Sequence, residues 1–489
     1  MDRLNNDSKT PDQEPRKLKR MPNKIFKQTQ QQSLCVFIVN WNRKRDLEIL
    51  LTSLYNCLKT FKEQHPNYLI DILVLDNASD DGSVDMLEAR HPNVNVIRNS
   101  VNLGGAGGFA RGMTHAIEKG YSYLWILDND AVLVHDALSP LIEVMNRTQN
   151  TGLVGSCILH KDNPDFISEA GAKIKWNSFP KPLCMNTPKT HYGHDDVFRA
   201  DYVAACSALI NVEAIRKCGP FDKDYFLMWD DMEWGFRISK YGFKVFSTVA
   251  SQVIHPGFSE RTPGVLLEYY AKRNHLRFIN KNYRGVKRVL LLAYLNALID
   301  ARITKLSCTG RIDIKQALIF AKEDFWSGNF GKCEHTGEIP SEPTPKQQFN
   351  SIVEKLPDSI HIMPGFPIPL LQKIIESTPG KSITIYSPTK HIKLIRGTFP
   401  HIEVKAKHRA LLTSRKNCAA LFPNWSIPPT FRTAYTQYYA IDENLSAHTV
   451  PTHSLTREIV KKLLRGALYA KALTGGFAFA LLRQMKNSL

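Results

Sequence analysis

Two clusters of carboxylates are the candidates for chemistry in this chain. Asp128 and Asp130, one residue apart, close an apolar run over residues 121–130. Carboxylates at this spacing offer hard oxygen ligands to Mg²⁺ or Mn²⁺, ions that commonly also hold substrate phosphates. The alternative is an Asp-Asn-Asp turn that only caps a following helix. Further along, Asp230, Asp231 and Glu233 fall among Trp229, Trp234 and Phe236. Clustered acids beside aromatic walls repel one another and lose solvent, which raises at least one pKa toward that of a general base. Their structural alternative is a helix cap at Asp230 and an i, i+4 pair between Glu233 and Arg237.

These acids need a scaffold to bring them together. Residues 34–39, 70–75, 94–97 and 121–130 are apolar runs of the kind found in buried strands, with helical patterns between the first three. That alternation predicts a parallel sheet with right-handed crossovers, and such sheets bind ligands outside the carboxyl ends of their strands. Asp76 and Asp128 stand at such ends. Asp76 is placed there for a base or ribose, while Asp80 or Asp81 caps the next helix. Gly104, Gly105, Gly107 and Gly108 come ahead of a helix, where they permit close backbone approach and leave amides for phosphate oxygens. Arg111 beside them favours an anionic ligand. The segment is neither a P-loop nor a dinucleotide fingerprint, because the Lys-Ser/Thr pair is missing and the glycine spacing differs. His255 ends another strand as a lone histidine. Arg273, in a helical segment, either holds a diphosphate or braces the fold.

Four segments in order carry a resemblance. Asn40-Trp41-Asn42-Arg43, then Leu75-Asp76-Asn77-Ala78-Ser79-Asp80-Asp81-Gly82, then the glycine-rich helix entry, then Leu127-Asp128-Asn129-Asp130 resemble the nucleotide-sugar half of family 2 of the inverting glycosyltransferases, which have the GT-A fold. Within that family, residues 102–111 are similar to a segment of bacterial galactofuranosyltransferases, with rhamnosyltransferases as the neighbouring group. The likeness extends over residues 33–280. It implies a metal-dependent, inverting sugar transfer in which Asp128, Asp130 and His255 hold Mn²⁺ or Mg²⁺. The Trp-Asp-Asp-x-Glu string resembles the family's base motif, which makes Asp231 the base, with Asp230 and Glu233 beside it and Glu233 as a further acceptor contact. Met232 stands where that motif has a small residue, a departure that touches packing more than chemistry. On the same resemblance the nucleotide-sugar donor meets Asn42, Asp76, Asn102, Gly104, Gly105, Gly107, Gly108, Arg111, Asp128 and Trp229. The implied donor is UDP-galactofuranose and the implied acceptor a lipid-linked or cell-envelope glycan. The alternatives are a rhamnosyltransferase using dTDP-rhamnose and an inactive glycan-binding scaffold.

Bulk properties set the frame. At 489 residues with 43% hydrophobic and 22% charged residues, the chain is globular and long enough for two or three domains. Its formal charge of +18 and pI near 9.4 point to anionic partners. Nucleic acid is not among those expected, since the charge is spread over tails and helices without a recognition motif. Nine scattered cysteines with no C-x-x-C pair suit reduced, buried thiols in the cytosol. No leader is evident, and the longest apolar run, 289–299, is too short to span a membrane. The expected layout is a basic tail (1–32), the GT-A domain (33–280), a helical extension (281–333), a linker (334–357), a small α/β accessory domain (358–450) and a basic amphipathic helix (451–489). That last helix suits either an anionic membrane surface or docking on the core or another subunit of a homo-oligomer. Together these features predict a cytoplasmic protein bound peripherally to the inner face of the cell membrane.

Overall fold

The computed structural model describes residues 31–256, 264–307 and 311–339, and shorter stretches between 347 and 449. Two compact units emerge, Met1–Asn282 with Asp324–Glu334, and Tyr283–Glu323 with His335–Leu489. The expected basic tail, up to residue 30, and the expected helix over 451–489 lie outside the described residues.

The first unit begins with β1 (Gln32–Asn40), α1 (Lys44–Gln64), β2 (Tyr68–Asp76), α2 (Ser83–Arg90), β3 (Val94–Arg98), α3 (Gly104–Lys119) and β4 (Tyr123–Asp128). It continues through β5 (Val132–Val134), α4 (Ser139–Arg147), β6 (Thr151–Leu159), β7 (Ile167–Glu169), β8 (Ala172–Ile174), β9 (Pro180–Pro182), β10 (Val197–Arg199) and β11 (Ser207–Asn211). It closes with α5 (Val212–Cys218), α6 (Asp230–Lys240), β12 (Lys244–Ile254) and α7 (Val265–Asn282). The main sheet runs β10-β12-β6-β11-β4-β1-β2-β3, with β5 paired to β12 and β7 to β6. The β3-β2-β1-β4 half is parallel throughout, and β11 enters antiparallel between β4 and β6. This is the α/β class with a mostly parallel central sheet that the sequence predicts.

Strands this apolar are buried on both faces. Leu34, Val36 and Ile38 of β1 join Val74, Trp125 and Leu127 in a core closed by α1. Cys35 and Phe37 point the other way, joining Leu73, Leu75, Leu124 and Ile126 beneath Phe109, Met113 and Ala116 of α3. The chain leaves β1 toward β2 on one side and returns at β4 on the other, so a crevice opens at their carboxyl ends. Register aligns two acids and an amide there, since Asn40 pairs with Asp76 and Val39 with Asp128.

The helical extension expected over 281–333 does not stay whole. Asp324–Glu334 belongs to the first unit, because Tyr269 donates its hydroxyl to Asp324, Arg273 donates to the Gly331 carbonyl (2.8 Å) and the Cys333 amide donates to the Tyr270 hydroxyl (2.8 Å). In the second unit, Ser359–Ile362 pairs in parallel with Ser382–Ser387 and Cys418–Pro423. Ile360, Ile362, Ile374, Ile385 and Val404 form its core. Cys35, Cys57, Cys157, Cys206 and Cys218 are buried free thiols. Among the described residues no helix is long and apolar enough to cross a membrane.

Candidate active site

The crevice between β1 and β4 is built by amides that tie neighbouring strand ends together. Asn40, fully buried, donates through Nδ2 to Asp76 and accepts from Asn129 Nδ2 at 2.8 Å. Asp76 accepts from the Ser79 amide at 3.0 Å, which closes the turn after β2. Asn42 sits with φ at 49° and accepts from the Asp80 amide at 2.9 Å. Asp81 accepts from the amides of Lys44 (2.8 Å) and Ser83 (3.0 Å), and so anchors the starts of α1 and α2 at once. Asn77, which the sequence did not single out, holds the next loop. Its Oδ1 accepts from Asn99 Nδ2 and the Leu103 amide, and its Nδ2 donates to the Gly104 carbonyl.

Asp128, Asp130 and His255 meet at this edge although His255 is far away in sequence. β5, just after Asp130, pairs antiparallel with the end of β12, setting Val132 opposite Ile254. His255 Nε2 then lies 3.0 Å from Asp130 Oδ1 and 3.4 Å from Asp128 Oδ2. Burial opposes a charge on His255, but hydrogen bonding and attraction from the two carboxylates win and raise it to about 9. The three ligand atoms lie within 4.8 Å of one another. Two hard carboxylate oxygens and one imidazole suit Mn²⁺ or Mg²⁺, the nitrogen favouring Mn²⁺.

The second acid cluster arrives on a strained loop. Lys223–Tyr225 forms one 3₁₀ turn, after which Phe226, Met228 and Trp229 all take positive φ, at 61°, 69° and 71°. Non-glycine residues adopt this region at a cost, so the surroundings must enforce it. Asn274 of α7 donates to the carbonyls of Tyr225 (2.8 Å), Leu227 (2.8 Å) and Met228 (3.0 Å). Arg273, 1% exposed, donates to the carbonyls of Tyr225 and Gly331, and its ring neighbours are Tyr269 and Tyr270. Of its two expected roles, the structure gives Arg273 the brace. His275 stacks on Trp229, and Ser178 Oγ meets its Nε2 at 2.7 Å.

Asp230 and Asp231 follow as the first residues of α6. Burial, then the Asp231 charge, pushes the Asp230 carboxyl far up. Burial also raises Asp231, to about 6, although the amides of Met232 and Ala205 stabilise its anion. Asp128 raises both, which puts the pair in electrostatic reach of the metal-type cluster. A further acid belongs to this group. Glu169, at the end of β7, is raised to about 8 by burial and by Asp231, and its Oε1 has no hydrogen-bond partner. No motif marks Glu169. Its one signal in the sequence is a carboxylate among small and apolar neighbours.

Other expected site residues have their own surroundings. Glu233 is fully buried and paired with Arg237 (3.0 Å) and Lys281 (3.1 Å), so the structural alternative holds and it does not face the crevice. The glycines lie inside α3 and not ahead of it. A Cβ on Gly108 would come within 2.7 Å of Val39, and one on Gly104 within 2.2 Å of the Phe226 carbonyl. Close packing of helix on strand and loop therefore accounts for them. Gly105 differs, with nothing within 4 Å of its Cβ position. Gly107 and Arg111, the latter bonded to the Asn99 side chain, line a groove along the flank of α3. Asn102 caps Gly104 at 2.7 Å.

Residues 35–202 match the model of glycosyl transferase family 2. The chain is 23% identical to galactofuranosyltransferase GlfT1 of Mycolicibacterium smegmatis over 53% of its own length and 83% of that protein. It is 22% identical to galactofuranosyltransferase GlfT2 of the same organism over 62% of its length, but spans only 47% of that relative. An N-acetylglucosaminyl-diphospho-decaprenol L-rhamnosyltransferase of Mycobacterium tuberculosis is 22% identical over 38% of this chain and 66% of that protein.

Proposed function

We propose that this chain, which carries a family 2 glycosyltransferase domain over residues 35–202, is a metal-dependent inverting glycosyltransferase. The observation that carries the reading is the meeting of Asp128, Asp130 and His255 at the switch-point edge, with Asp231 in electrostatic reach. Asp128, Asp130 and neutral His255 would hold Mn²⁺ or Mg²⁺, which when bound supplies charge neutralisation for the departing nucleoside diphosphate. Asp76 and Asn42 bind the nucleoside side of the donor, and the start of α3 at Gly105, where a Cβ would meet nothing within 4 Å, flanks the diphosphate. Asp231 takes the proton of the acceptor hydroxyl as that oxygen attacks the anomeric carbon opposite the leaving group, so the centre inverts. Its raised pKa makes it a stronger base than an exposed aspartate while leaving it largely ionised at neutral pH.

UDP-galactofuranose is the donor favoured by the relatives and by the residues 102–111 motif, and a lipid-linked or cell-envelope glycan the acceptor. A membrane-borne acceptor would set the enzyme against the inner leaflet, which its charge of +18 suits.

Thermal denaturation with UDP, dTDP, UDP-galactofuranose or dTDP-rhamnose, each with Mn²⁺ or EDTA, tests the reading through ligand linkage. A Mn²⁺-dependent rise with the UDP compounds, lost in Asp130→Ala, is expected. A preference for dTDP moves the donor to rhamnose, and no shift with any nucleotide overturns the transferase mechanism.

A further inference from the structure

A groove runs along the flank of α3. It encloses about 920 Å³ and is lined wholly by residues of the first unit. None of Asp128, Asp130, His255, Asp230 or Asp231 lines it. Its walls combine two chemistries. Leu103, just ahead of α3, and Ala110 of α3, together with Phe221 and Phe226, form an apolar surface. Arg111, Lys223 and Lys332 come to the same groove from three separate segments.

The charge balance of the groove decides what it fits. Asp222 and Asp224 also line it, but both are already engaged by Arg277 at 2.9 Å, and Asp222 by Lys281 at 2.9 Å. Burial pushes the Asp222 carboxyl up, yet Lys281 and Arg277 overcome this and hold it at about 2. Arg237 and Lys281 also pair with Glu233, so the three cations Arg237, Arg277 and Lys281 balance the three carboxylates Asp222, Asp224 and Glu233. Arg111 meets only the neutral Asn99 side chain, and no salt bridge of Lys223 or Lys332 occurs among the described residues. Lys223 and Lys332 are exposed, so their positive charge stays uncompensated by the acids of the groove. The remaining acid, Glu118, stands in the last turn of α3.

We propose that this groove is a second ligand site, for a phosphate or diphosphate ester that carries an apolar body. The cations recognise the phosphate oxygens, and the Leu103, Ala110, Phe221 and Phe226 surface takes the apolar part. Arg111, whose position beside the glycines points to an anion, finds its use here and not at the donor metal. The site also touches the machinery. Phe226 is the first residue of positive φ in the loop that delivers Asp230 and Asp231, and its carbonyl accepts from the Ala106 amide at 3.1 Å. An occupant of the groove packs against that residue and steadies the loop.

Calorimetric titration of the full chain in EDTA tests the site with the donor metal centre unloaded. Geranyl diphosphate and inorganic pyrophosphate are the two probes, since they share the anion and differ in the apolar body. Geranyl diphosphate should bind at least tenfold more tightly than pyrophosphate. The double variant Lys223→Glu/Lys332→Glu should weaken it at least tenfold, while Asp130→Ala leaves it unchanged. Because both lysines are exposed, the double variant should keep its melting temperature and its Mn²⁺-dependent response to UDP, which separates this site from the transferase reading. The proposal is overturned if the double variant binds geranyl diphosphate as the parent does, if UDP competes with it, if Asp130→Ala abolishes it, or if pyrophosphate binds equally well.

Discussion

The His275 imidazole lies flat against the Trp229 indole, with ring centroids 4.0 Å apart and planes 21° from parallel. Burial keeps that imidazole neutral, far below its ordinary pKa. It thus stacks as an aromatic surface and not as a cation, and it fixes the residue immediately before the two acids of α6. With Arg273 and Asn274 it makes three consecutive α7 residues that hold one strained loop.

The clamp has a measurable cost when opened. Asn274→Ala strands the carbonyls of Leu227 and Met228, while that of Tyr225 keeps Arg273 as a donor. Stranding buried acceptors costs about 1–3 kcal/mol each where water cannot replace the donor. Relaxation of the loop limits the sum to about 2–4 kcal/mol, seen as a lower melting temperature. Because Asp231 moves with the loop, kcat should fall while KM for the donor, bound mainly on the β1–β4 side, stays close to that of the parent. A matched fall in donor affinity would count against the assignment.

Much of this architecture was legible in the sequence because it rests on local signals. The apolar runs ending at Val39, Leu75 and Asp128 announce buried parallel strands, and the acids at their ends mark the edge where ligands bind. His255 was legible only through resemblance, since no local pattern links it to Asp130. The pairing of β5 with β12 that joins them is a long-range event. Glu233 misled for the opposite reason. Its helical spacing to Arg237 was visible, but Lys281, which completes its burial, comes from α7. Glu169 and Asn77 act through partners distant in sequence and carry no motif of their own.

The glycines of α3 provide a paired test of packing against ligand contact. A Cβ at residue 112 would stand 2.3 Å from the Phe37 ring, which is fully buried. Gly112→Ala should therefore destabilise by about 1–3 kcal/mol through overpacking. At Gly105 nothing lies within 4 Å of the added methyl, and the residue is helical. Gly105→Ala should stabilise by up to about 1 kcal/mol on helix propensity alone. Denaturant midpoints read both, and UDP–Mn²⁺ affinity of Gly105→Ala shows whether the donor approaches that position, since a methyl at a contact would weaken it.

Glu169 predicts a pH dependence of stability. Its carboxyl is raised from 4.5 to about 8, so the fold favours the protonated form. The stability this contributes is fully present below pH 4.5 and is lost as pH rises through 8. A tenfold change in proton affinity is worth about 1.4 kcal/mol, and the partial exposure of the residue cuts the total to a few kcal/mol at most. Glu169→Gln should thus hold its melting temperature better than the parent between pH 6 and pH 9. Identical curves for the two proteins would remove Glu169 from the acid cluster.

Asp231 carries the chemical prediction. As a base it must be ionised, so kcat/KM should rise with pH along an acid limb and then level. In the metal-free fold burial places its pKa at about 6. A divalent cation beside Asp128 adds positive charge to a group that now feels a carboxylate, which lowers the value. The limb should accordingly fall at or below about pH 6. Asp231→Asn should cut kcat by about 10²–10⁴ and erase the limb, while the Mn²⁺-dependent response to UDP persists because Asp128, Asp130 and His255 are intact. A variant that keeps the limb would transfer the base role to Asp230, whose more strongly raised carboxyl would then have to ionise on the approach of donor and metal.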